Sequence, residues 1–150
     1  TSAPGTGTPQ ETANKLSKLW NDRLQVEDDM KKNTDAIDRH KQNIENITRD
    51  IPKQQQSVND AQSKYDGLNE AVTNLEAELN QASSDEERST LQGQLDTQKT
   101  YRDVAKQELD KAQAELQKSK DDIEKEKAAM QESIITSARA IDTIFFIINF

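Results

Sequence analysis

The chain has no cysteine, so it holds neither a disulfide framework nor thiolate chemistry, and with a single histidine the usual zinc sites are excluded as well. Three prolines and four glycines in 150 residues supply too little turn chemistry for a protein of many short strands. Aromatic residues make up 4% and hydrophobic residues 31% of the sequence, too few to bury a conventional globular core. That shortage argues against most enzyme folds and gives no reason to expect a cofactor or a small-molecule substrate. What the chain has instead is charge, at 32% of residues, within stretches rich in Ala, Glu, Lys, Leu and Gln that favour extended helix. The net charge of -8 and a pI near 4.7 repel nucleic acid and anionic lipid. The expected partners are therefore proteins, or membranes reached through apolar contact. A cysteine-free, protease-exposed helical protein suits an extracellular or bacterial secreted setting, and that is the expected localisation.

Residues 1–13 are expected to form a flexible N-terminal arm, because TSAPGTGTPQ at its start combines Thr, Pro and Gly with no charged side chain. From Leu16 onward apolar residues recur at alternating spacings of three and four. One column runs Leu16, Arg23, Met30, Ile37, Ile44, Ile51, Val58, Tyr65, Val72, Leu79, and the other runs Leu19, Val26, Asn33, His40, Ile47, Gln54, Ala61, Leu68, Leu75, Ala82. A register held over about ten heptads is the signature of a coiled coil. Pro52 falls inside the run, where it removes a backbone hydrogen bond and is expected to kink the helix. Ser83 and Ser84 interrupt the pattern, and Ser84-Asp85-Glu86-Glu87 has the form of a capping box that opens a second helix. There Leu95, Arg102, Leu109, Leu116, Ile123 and Met130 form one column, beside a second column of small and polar residues that includes Ala105, Ala112, Ser119, Glu126 and Ser133.

Two helices of near-equal length, about 100 Å each at 1.5 Å per residue, joined at Ser83-Ser84 predict an all-α fold, a long antiparallel coiled-coil hairpin over residues 14–150. Folding the chain at that point pairs Ile37 with Met130, Ile44 with Ile123, Ile51 with Leu116, Val58 with Leu109 and Val72 with Leu95. The polar core residues also meet, Asn33 with Ser133 and His40 with Glu126, while Tyr65 meets Arg102 at a spacing open to a cation–π contact. A parallel dimer would stack His40 on His40 and Asn33 on Asn33 instead.

His40 and Glu126 have the residue types of an acid/base pair, but a two-helix seam offers no concave pocket to exclude water or hold a substrate. With Asn33, Gln54 and Ser133 they are expected to form polar layers that fix register. The acidic clusters at 27–29, 85–87 and 121–122 lack the alternating oxygen ligands of a calcium loop and read as solvated helix faces. No catalytic constellation or phosphate-binding loop stands out, so the chain is expected not to be an enzyme. The sequon Asn46-Ile47-Thr48 carries little weight, because Ile47 is a core position.

The segment 134–150 departs from all that precedes it. Beyond Asp142 it has no charge, it contains all three phenylalanines, and Ile144, Phe145, Phe146, Ile147 and Ile148 are apolar on every side of a helix. One partner helix covers only one face. The heptad is also expected to shift after Met130 onto Ile134, Ile141 and Ile148, a stutter that re-aims the apolar face. In a hairpin this segment lies beside Leu16, Leu19, Trp20 and Leu24, so these residues with Ile141, Ile144, Phe145, Phe146, Ile147, Ile148 and Phe150 are the expected docking surface. About 20 apolar residues are needed to span a bilayer, and the run here is shorter. The leading expectation is a structural subunit that self-assembles through this end into an oligomer or filament, or docks another helical protein. A second is a membrane-active or receptor-binding module that meets a membrane through the same segment. In architecture, long cysteine-free hairpins with polar N-termini resemble bacterial secreted helical proteins such as type III secretion translocator and tip proteins and the receptor-binding arms of colicins. That resemblance implies a role at or beyond the cell surface.

Overall fold

The computed structural model describes residues 7–149. Two helices account for nearly all of them: α1, Pro9–Gln81, and α2, Asp85–Asn149. They pack as an antiparallel all-α helical hairpin with its turn at Ala82–Ser84, as the paired columns predict.

α1 begins at Pro9, inside the segment expected to be an arm through residue 13. The reason is a capping box hidden in a Thr-, Gly- and Pro-rich stretch. The Glu11 amide donates to Thr8 Oγ1 at 3.1 Å, and the Thr8 amide donates to Glu11 Oε2 at 3.1 Å, which satisfies two of the donors that a helix start leaves open. Pro9 stands at the first helical position, where its missing N–H costs nothing. Gly7 precedes this cap at φ 65°, and a Cβ there would lie 2.6 Å from the same Glu11 oxygen. Residues 1–6 of the expected arm lie outside the described residues.

The turn is closed by the expected serine. The Glu87 amide donates to Ser84 Oγ at 3.1 Å, while the Glu87 carboxylate accepts from the Ser83 amide at 3.3 Å rather than from that of Ser84. Arg88 Nη2 adds a bond to the Ala82 carbonyl at 3.1 Å. Three acidic residues, Asp85, Glu86 and Glu87, occupy the first turn of α2, where the helix dipole favours negative charge.

Two compact units divide the chain: residues 46–123 form one, and residues 1–45 with 124–150 form the other. The turn-containing unit holds the buried core of Val72, Ala82, Leu95, Ala105, Leu109 and Leu116. All six lie on the heptad columns, with Ala82 at the turn and the other five within the helices. α1 runs unbroken through Pro52; Pro52 is exposed, as is Thr48, whose carbonyl loses the usual acceptor role. Interhelical pairs Lys64–Glu108 (3.1 Å) and Glu76–Lys99 (3.7 Å) flank this seam. The cation over the Tyr65 ring belongs to Lys106, 5.8 Å from the centroid and one turn beyond the expected Arg102. Gln54, the third expected polar core position of α1, is half-buried with its side-chain carbonyl oxygen out of solvent and without a hydrogen-bond partner.

The unit that joins the two chain ends has no fully buried residue among those described. Its seam is half-buried, with Leu19, Val26, Met30 and Ile37 from α1 opposite Met130, Ala140, Ile144 and Ile147 from α2. The polar layers and the apolar segment both lie here.

Candidate functional site

Two hydrogen-bonded layers cross the seam between α1 and α2 in the end unit. His40 Nδ1 lies 2.6 Å from Glu126 Oε2, close enough for the ring N–H to donate, and Asn43 Nδ2 donates to the other carboxylate oxygen at 3.3 Å. Both His40 and Glu126 are half-buried in the seam, as pairing across the hairpin predicts. The Asn33 side-chain amide donates to the Ser133 backbone carbonyl and to Ser137 Oγ, the latter at 2.6 Å. Ser133 thus takes part through its carbonyl rather than its hydroxyl, and Ser137 enters the layer.

Asn33 explains why the expected heptad shift does not occur. With α2 held at Ser133 and Ser137, the half-buried positions run Glu126, Met130, Ser133, Ser137, Ala140, Ile144, Ile147, which continues the earlier columns without a stutter. Ile134, Ile141 and Ile148, expected to take over the seam, are 41%, 55% and 62% exposed. The polarity of the true seam misled the periodicity: at Ser133, Ser137 and Ala140 small or polar residues face α1 while Ile134 and Ile141 point elsewhere, and Ile144 and Ile147 restore an apolar seam beyond them.

Where they point follows from helical geometry. Ile134, Ala138, Ile141, Phe145 and Ile148 each follow a seam residue by one position, so they form a stripe turned about 100° from the seam. On α1, Trp20 and Leu24 follow seam positions Leu19 and Arg23. In antiparallel pairs the residues that follow core positions on both helices share one flank. Consistently, Leu16, Leu19, Trp20, Arg23, Ile147 and Ile148 line a single shallow depression of about 340 Å³. Trp20 is held there by Arg23, whose guanidinium lies 5.4 Å from the ring centroid and whose Nε bonds Glu27 at 3.0 Å. The opposite flank of the same unit carries Lys18, Asp22, Gln25 and Asp29 on α1 and Glu132, Thr136, Arg139, Thr143 and the exposed Phe146 on α2.

Of the expected docking residues, Leu16, Trp20, Leu24, Ile141, Phe145, Phe146 and Ile148 are exposed. Leu19, Ile144 and Ile147 are half-buried in the seam beneath them, and Phe150 lies outside the described residues. Exposed Ile134 and Ile135 extend the apolar surface. A second apolar depression, which the sequence reading missed, lies in the turn-containing unit between Lys64, Leu68, Thr100, Tyr101 and Val104. Tyr101 and Val104, three residues apart and off both columns of α2, were its signal. Among the described residues no group of three or more His, Asp or Glu is gathered to hold a metal ion, and no helix is long and apolar enough to cross a membrane. Comparison with protein-family models, curated proteins and solved structures finds no match to this chain.

Proposed function

We propose that the chain is a non-enzymatic structural coiled-coil protein that self-assembles through the apolar flank of its end unit, forming an oligomer or filament outside the cell. One observation carries this reading. Because the seam keeps its register through Ile147, Ile134, Ile141, Phe145 and Ile148 are not used to pair α2 with α1 and stay in water. On this flank Trp20 and Phe145 are 57% and 69% exposed, which at about 200 Å² for a whole aromatic side chain leaves roughly 250 Å² of ring surface in solvent. With the aliphatic residues around them the patch exceeds the few hundred Å² that monomers ordinarily show.

Self-association is favoured over lipid by charge. From Glu132 to Asn149, α2 carries one base, Arg139, against two acids, Glu132 and Asp142, whereas helices that lie in a membrane surface are usually rich in Lys and Arg. The test is deletion of residues 144–150 with mass measured by light scattering. The intact chain should exceed its monomer mass and the deletion variant should return to it; an intact chain that stays monomeric sinks the reading. Neutral lipid vesicles should leave Trp20 emission unchanged, and a blue shift on vesicles alone would turn the assignment to a membrane.

A further inference from the structure

The flank also specifies its partner. A two-helix seam needs apolar residues only at its core columns, while a helix that serves a four-helix bundle carries a third apolar column beside them. α2 has that third column for four turns, from Ile134 through Ala138, Ile141 and Phe145 to Ile148, and α1 adds Trp20 and Leu24 on the same side. The end unit therefore has the pattern of half a four-helix bundle. We infer that the missing half is a second copy of this chain, packed face to face about a two-fold axis that passes near Ile141, with α2 lying antiparallel on α2 of its partner.

This rests on the self-association proposed above and adds to it the partner and the pairing. The choice between two-fold arrangements comes from the unequal helices. Beyond Leu24 the flank of α1 turns polar at Glu27 and Lys31. Laying α1 over the α2 of a second copy would set those charges on the Ile134–Ile141 stripe and desolvate them against apolar side chains. Laying α2 over α2 instead matches the stripe with itself, Ile134 against Ile148 and Ile141 against Ile141. The exposed rings of Trp20 and Phe145 make up about a third of the roughly 800 Å² per partner that a standard interface buries, and the exposed aliphatic residues Leu16, Leu24, Ile134, Ile141 and Ile148 add to it. Because the patch is used by both copies at once, the assembly closes at two.

The full-length chain has no cysteine, which allows single-site cross-linking without background. Ile141→Cys should form a disulfide-linked dimer under mild oxidation, whereas Ile135→Cys, equally apolar but off the stripe, should not. Pre-association raises the effective concentration to about millimolar, so at about 10 micromolar protein linkage at 141 should run roughly a hundredfold faster than at 135. Light scattering of both variants before oxidation, with far-UV circular dichroism to confirm helix, separates the outcomes. A dimer that links at 141 supports the pairing. A dimer that links equally at 135, or not at 141, or an assembly that grows without limit with concentration, overturns the pairing and leaves self-association standing. Monomers at every concentration overturn both.

Discussion

Asn33 decides what α2 presents to solvent, and it does so with one amide. Its two bonds, to the Ser133 carbonyl and to Ser137 Oγ, hold small polar residues in the seam and leave isoleucines outside. Asn33→Ala removes the donor from a half-buried acceptor pair and should lower stability by about 1 kcal/mol, read as a lower midpoint in a chemical melt. Gln54 is the opposite case, a core polar residue whose buried oxygen has no partner. Gln54→Leu keeps the volume and removes the unsatisfied group, so it should raise the midpoint by about 1 kcal/mol; a drop of that size would show that Gln54 contributes to pairing after all. At the surface, Lys32, Lys106 and Lys118 are raised above the ordinary lysine value of 10.5, first by hydrogen bonds to Asp28, Asp110 and Asp122 and then by the charge of the same carboxylates. A raised lysine contributes its stabilisation fully below 10.5 and loses it as pH climbs through the higher folded value. All three are fully exposed, so this loss should be small, and the helical signal should hold up to pH 10.5 before it declines.

At the scale of the helices, what the sequence made legible depended on whether the core was apolar. The columns from Leu16 to Ala82 and from Leu95 to Met130 are a periodic hydrophobic signal, and the hairpin and its turn at Ser84 follow from them. Past Met130 the signal inverts. The helix turns Ile134, Ile141, Phe145 and Ile148 away from α1 and keeps Ser133, Ser137 and Ala140 toward it, so a reading by hydrophobicity places the seam one residue off. The clue was Asn33 itself, whose amide finds a side-chain acceptor in Ser137 that no isoleucine could supply. The start of α1 was hidden differently. Thr8-Pro9-Gln10-Glu11 has the same capping form as Ser84-Asp85-Glu86-Glu87, but it sits among residues that otherwise read as an arm. Thr8→Ala should cost about 1 kcal/mol and fray the first turns, seen as faster amide hydrogen exchange over residues 11–14.

For the whole molecule, the low hydrophobic content is not a uniform property. It is a sparse seam along two helices plus one flank near the chain ends with more apolar surface than α1 covers. Two copies of a chain with net charge -8 repel one another, so apolar contact must outweigh that repulsion. Raising salt from low ionic strength past about 0.1 M, where the Debye length falls to about 10 Å, should therefore tighten association; weakening with salt would point to a contact held by opposite charges. The most direct measurement is mass against concentration for the intact chain and for Ile141→Asp, which places one charge at the centre of the flank and leaves the seam untouched. The intact chain should rise with concentration to twice its 16.9 kDa and stop there, while Ile141→Asp stays at 16.9 kDa with its helical signal intact. An intact chain that remains at 16.9 kDa throughout, or a variant that associates as strongly as the intact chain, would contradict the account.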